Sequence, residues 1–144
     1  MARYSSGMVA AGAGVALRPI FAILSTATVS CLVREIKLVN TTAVACQYEV
    51  VRFTGGTAGA AQTEVKHRPD ASAAIGTVFG LWTVDATIVD RTGEIMQLGA
   101  SVGSGDIATF GEGGLETALG ATAGIGLVPI GTGQVCIVKF TWDE

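Results

Sequence analysis

The sequence predicts an all-β protein, a single antiparallel β-sandwich of jelly-roll type with about eight strands and almost no helix. Three observations predict it. Apolar and β-branched runs recur about every ten to fifteen residues, and clusters of Gly, Asn, Asp or Pro separate them. Twenty glycines, with abundant Ala, Val and Thr, favour short strands joined by tight turns. No apolar stripe at i, i+4 spacing is sustained anywhere along the 144 residues.

The chain begins with small residues. Arg3 followed by the short apolar stretch Gly7 to Leu17 has the outline of a signal peptide, but the stretch is mostly Gly and Ala and stops at Arg18-Pro19. It is also shorter than the roughly 20 apolar residues a membrane span needs, so no membrane partner is expected. Residues 1–14 are expected to form a flexible N-terminal arm, with a cleaved signal as the alternative, and residues 15–144 the β-sandwich domain.

The first strand is expected over Val15 to Leu24, with Pro19 marking an edge or a strand start because it lacks a backbone donor. The second runs from Thr28 to Asn40. Its alternation places Leu32, Ile36 and Leu38 on one face and Cys31, Val33, Glu35, Lys37 and Val39 on the other. Arg34 falls on the apolar side, where its stem packs and its head reaches a rim or a carboxylate. Asn40-Thr41-Thr42 forms a turn, and Ala43 to Thr54 reads as a strand at the centre of a sheet. Gly55 to Ala61 reads as a mobile loop, and Glu64 to Asp70 is the most polar, exposed segment.

Gly80 to Val89 alternates cleanly with Trp82 toward the core, and Asp90-Arg91-Thr92-Gly93 has a hairpin signature. Glu94 to Val102 and Ile107 to Phe110 follow as short strands. Gly111 to Gly126, rich in glycine, reads as loop with one short strand at most. Gln134 to Trp142 closes the fold, with Cys136, Val138, Phe140 and Trp142 on one face.

Composition narrows function. Hydrophobic residues make up 49% and charged residues 15%, which excludes a solvated disordered chain. Three Lys and six Arg against a net charge of -3 supply no phosphate-binding surface, so nucleic acid is not an expected partner. Cys31, Cys46 and Cys136 are isolated in strand-like segments without CxxC spacing, and His67 is the only other soft ligand, short of a zinc set. They read as buried thiols folded in a reducing cytoplasm.

His67 lies in a polar loop with no nucleophile at useful spacing. Asp85, Asp90 and Asp106 lack the alternating oxygens of a calcium loop. Gly103-Ser104-Gly105 and Gly124-Ile125-Gly126 lack the third glycine and the lysine of a phosphate loop. Asn40-Thr41-Thr42 matches the glycosylation acceptor pattern by composition alone. No catalytic, metal or cofactor site and no small-molecule substrate is expected, and the chain is not expected to be an enzyme.

Four segments carry a resemblance: "REIKLVNTTAVACQYEVVRFT" from Arg34, "TEVKH" from Thr63, "GSGDIATFGEGGL" from Gly103 and "GIGLVPIGTGQVCIVKFTWDE" from Gly124. Together they resemble the small capsid decoration (cement) or minor structural proteins of tailed bacteriophages infecting actinobacteria. The resemblance spans roughly residues 28 to 144. It implies a virion protein, made in the host bacterial cytoplasm, that binds the outer surface of the major capsid protein shell and stabilises it, as a homotrimer on threefold positions. Arg3, Tyr4, Met8 and Val9 are the expected partner contacts, since they are the larger side chains of an arm that would order only on a neighbour. The alternative from another class is a carbohydrate-binding or adhesive β-sandwich module of a phage tail or fibre, or of a secreted protein.

Overall fold

A computed structural model describes residues 1–144. The chain forms twelve strands: β1 (Arg3–Val9), β2 (Phe21–Leu24), β3 (Leu32–Asn40), β4 (Cys46–Thr54), β5 (Ala61–Gln62), β6 (Val65–Lys66), β7 (Thr77–Phe79), β8 (Thr87–Leu98), β9 (Gly105–Thr109), β10 (Leu115–Glu116), β11 (Ala123–Ile130) and β12 (Cys136–Asp143). That is more than the eight expected: eight have four or more residues, and β5, β6, β7 and β10 are pieces of two or three. Every pairing is antiparallel.

Two sheets pack face to face as a β-sandwich. The front sheet has the order β10-β3-β12-β1-β6, with β9 also pairing β3; the back sheet has the order β5-β7-β2-β11-β4-β8. The front sheet joins the two ends of the chain, because β1 lies beside β12 in unbroken register from Arg3↔Asp143 to Val9↔Ile137. Ala2 and Glu144 exchange both backbone hydrogen bonds, at 2.8 and 3.0 Å.

This placement of β1 corrects the expected arm. Residues 3–9 form a strand between two others, and Tyr4, Ser5 and Ser6 are buried. The small side chains that suggested flexibility instead permit close approach: a Cβ on Gly7 would meet the Val138 carbonyl oxygen at 2.8 Å. Residues beyond the strand are tied as well, since Ala10 N–H donates to the Cys136 carbonyl and the Ala13 carbonyl lies 3.0 Å from the Tyr48 hydroxyl.

A bulge in β3 explains its two-faced pattern. Thr141 pairs Glu35 while Trp142 pairs Val33, so Arg34 is an extra residue and the side-chain alternation inverts across it. Cys31 and Val33 before the bulge, and Ile36 and Leu38 after it, therefore all point into the core. A simple period-two reading places the first pair opposite the second.

The back sheet departs further from expectation. Gly80 to Ala86 is not a strand but crosses the outer side of the sheet, and only the end of the expected segment, from Thr87, belongs to a strand. Asp90-Arg91-Thr92-Gly93 does not turn the chain either, because β8 runs through it as one strand of 12 residues. The register slips there: Glu49 pairs Ile95 and Val51 pairs Arg91. Thr92 and Gly93, at φ +77°, are absorbed in that bulge, with the Thr92 hydroxyl donating to the Val50 carbonyl at 2.7 Å.

β11 is a central strand where a loop was expected. Its glycines make room for neighbours, since a Cβ on Gly124 or Gly126 would come within 3.1 Å of the Phe53 ring and closer still to β2. Between the sheets lies the main core. Phe21 and Phe140 meet edge to face at 5.2 Å, and Tyr4 stacks on Trp142 at 5.7 Å.

Candidate functional site

The front sheet presents its outer face to solvent, and the strand registers define what it carries. One row reads Val9, Ile137, Val39, Gly105 across β1, β12, β3 and β9. The next reads Gly7, Lys139, Lys37, Ile107, and the third Ser5, Thr141, Glu35, Thr109. Neighbouring strands lie about 4.8 Å apart, so each row is a continuous line of side chains. Val9 is 56% exposed, Ile107 53% and Ile137 44%, and Val65 beside Ser5 is 62% exposed.

Lys37 and Lys139 are directly opposed and both exposed. They are two of only three lysines in the chain, and neither takes part in any of the six ion pairs. Like charges directly opposite across strands destabilise a sheet, so folding alone gives no reason for the pair. The only carboxylate in these rows is Glu35, one row away. The face is thus an apolar line bordered by two unpaired cations.

At the far end of the same face the charges are satisfied. Asp143 accepts from Arg3 Nε at 2.7 Å and Nη2 at 3.0 Å, and from Arg34 Nε at 2.7 Å. Arg34 reaches it because the β3 bulge aims its side chain at the rim, where it also donates to the carbonyls of Gly111, at 3.0 Å, and Glu112. The hydrogen bond from Arg3, with help from Arg34, outweighs desolvation and holds the Asp143 carboxyl below its ordinary range.

The four residues expected to contact a partner have separate fates. Arg3 is held by Asp143, Tyr4 is buried against Trp142, and Met8 is half-buried against the core. Val9 alone stands free on the outer face. Sequence reading missed Lys37, Lys139, Ile107 and Ile137 as a group, because their adjacency depends on pairing residues about a hundred positions apart. Alternation in the closing strand was the one available signal, since it already set Ile137 and Lys139 opposite the core positions.

The other polar motifs have structural roles. Asn40 is 1% exposed, and its side-chain amide donates to the carbonyls of Val44 at 2.7 Å and Gly99 at 3.0 Å, so it locks the turn from within. Asp85 pairs with Arg18 and Asp90 with Arg52, while Asp106 accepts backbone N–H groups from Gln97 and Ile107. Gly103 opens the turn into β9 at φ +88°, and Gly124-Ile125-Gly126 lies within β11. His67 is exposed, with its backbone N–H on the Arg3 carbonyl.

Comparison of the chain with family models, with curated proteins and with solved structures finds no match.

Proposed function

We propose that the chain is a virion structural protein that decorates a bacteriophage capsid, and that the outer face of its front sheet is the surface that docks on the shell. The observation that carries the docking half is the exposed pair Val9 and Ile137, continued by the half-buried Val39, beside the unpaired Lys37 and Lys139. An exposed apolar patch with a polar border is the ordinary form of a protein interface, and about 800 Å² per partner makes one of standard size. The capsid half comes from the resemblance of residues 28 to 144 to phage decoration proteins. The major capsid protein is then the partner, and the two lysines select a patch on it that carries carboxylates. Self-association as a trimer on threefold positions belongs to the same proposal.

The sugar-binding alternative lacks a platform. All nine aromatic residues are buried or half-buried, including Trp82, Phe140 and Trp142, so no flat ring is offered to a carbohydrate.

The test is reconstitution. Recombinant protein mixed with shells assembled from the major capsid protein is expected to co-sediment and to raise the temperature at which the shells fall apart. The Lys37→Glu/Lys139→Glu variant is expected to sediment poorly. Wild-type protein that leaves both sedimentation and shell melting unchanged overturns the capsid reading; equal binding by the variant moves the contact to another face.

A further inference from the structure

We propose that Cys46 and Cys136 form a paired-thiol modification site, which a small disulfide oxidant converts into a covalent staple between the two sheets. The site is independent of the docking face.

Cys46 begins β4 in the back sheet, and Cys136 begins β12 in the front sheet. The two strand starts are drawn together by Tyr48, which lies two residues beyond Cys46 and points, like it, into the core. The Tyr48 hydroxyl donates to the Gln134 carbonyl and accepts from the Gln134 N–H at 3.0 Å. The Cys136 thiol donates to that same carbonyl at 3.4 Å. Both thiols belong to this end of the core: Asn40 pairs Cys136 across β3 and β12, and its side-chain amide holds the Val44 and Gly99 carbonyls beside Cys46 and its strand partner Leu98.

Access is one-sided. Cys46, 5% exposed, lines an open groove of about 680 Å³ with Gln97, Leu98, Ile130 and Thr132, whereas Cys136 is fully buried behind it. That order assigns the roles. Cys46 loses its proton to water, and its thiolate attacks one sulfur of oxidised glutathione, forming a mixed disulfide and releasing one glutathione. Cys136 then loses its proton and attacks the Cys46 sulfur, and the second glutathione leaves with a proton. Two protein thiols are oxidised by two electrons, and one glutathione disulfide is reduced to two thiols. Burial raises both thiols, Cys136 to about 12, so the reaction is slow at neutral pH and accelerates as pH rises. The fold therefore stays reduced where glutathione is reduced and closes over long exposure to an oxidising medium.

Cys31 is an internal control, since it lies beside Thr117 and Glu144 and not with the other two. The test uses the full chain incubated with oxidised glutathione at about pH 8.5, followed by denaturation, alkylation, intact mass and peptide mapping. The expected product is two hydrogens lighter, links Cys46 to Cys136, leaves Cys31 alkylated and melts about 10 °C higher, given the long loop that is closed. Cys136→Ala is expected to stop at a glutathione adduct on Cys46. Three alkylated thiols in wild type, a persistent glutathione adduct on wild-type Cys46, or a link to Cys31 would each overturn the proposal.

Discussion

The outer faces of the two sheets differ, although both belong to strands of similar length in one sandwich. The back sheet carries Ala22, Phe53 and the paired glycines of β11 outward, and the chain covers them itself. Residues 80–86 cross over that face and lay Trp82 on it, with Phe53 edge to face at 5.2 Å and Phe79 at 6.1 Å. The crossing is pinned by backbone bonds from Trp82 to Pro19, Ala86 to Leu17 and Thr83 to Thr57, each 2.9 Å. The front sheet carries Val9, Ile137, Ile107 and two lysines outward, and nothing in the chain crosses it. The chain covers the apolar outer face of one sheet with its own segment and leaves Val9, Ile107 and Ile137 of the other exposed, and the docking proposal rests on that contrast.

The largest expected effect is on the covered face. Trp82→Ala removes the central ring of the small cluster and leaves a cavity over Phe53, and it is expected to cost about 3 to 5 kcal/mol in urea unfolding. A loss under about 1 kcal/mol would mean that the crossing segment holds without its tryptophan, and the contrast between the two faces would weaken.

Asp143 gives the next effect, at the one place where the bare face is firmly built. Asp143→Ala strands Arg34, whose side chain is only 17% exposed, and Arg3 at the bulge, and is expected to cost about 2 to 4 kcal/mol. The pH dependence has a defined sign. Because the folded protein holds this carboxyl below its ordinary value, its contribution is present above the unfolded carboxylate range and is lost as pH falls through the depressed value. Denaturant midpoints of Asp143→Asn should therefore fall less steeply with acid than those of wild type.

The core between the two faces titrates at the opposite end of the scale. Burial raises Cys31 and Cys136 to about 12 and pushes Tyr48 up as well. These groups are neutral when protonated, so the folded state keeps protons that the unfolded chain gives up above about pH 9. Stability is expected to hold below that pH and to fall above it, by at most about 1.4 kcal/mol per pH unit for each group. Cys31→Ala should make that alkaline slope shallower; an unchanged slope would assign it to other groups.

These contrasts explain what was legible in the sequence. Alternation marked the core face of β12, where Cys136, Val138, Phe140 and Trp142 all enter the main core. It failed at β3 and β8, where bulges at Arg34 and around Thr92-Gly93 insert residues that shift the period or imitate a turn. It also failed at β1 and β11, where glycine signals close approach rather than flexibility. Trp82 was rightly set inward, but the core it joins is the small one outside the back sheet. The site was hidden for a different reason: its rows join residues from both ends of the chain, and only Val9 among them had been singled out.

The smallest effect on stability tests the bare face most sharply. Lys37 faces Lys139 across paired strands, with apolar neighbours on one side and Glu35 on the other. Lys37→Glu replaces a like-charge opposition with an attractive pair and removes no buried atom. Folding stability should therefore stay within about 0.5 kcal/mol of wild type or rise slightly, as cross-strand charge pairs of this kind contribute a few tenths. Binding should respond in the other direction. Under the proposed docking on a carboxylate-bearing patch, a carboxylate at this position changes attraction into repulsion, and a loss of tenfold or more in affinity is expected, most strongly at low salt. Stability from urea melts and affinity from co-sedimentation, measured on the same preparation, separate the two. If Lys37→Glu destabilises the fold by more than about 1 kcal/mol, the lysine pair has a structural role. If it leaves both stability and binding unchanged, the cations are not what the partner reads.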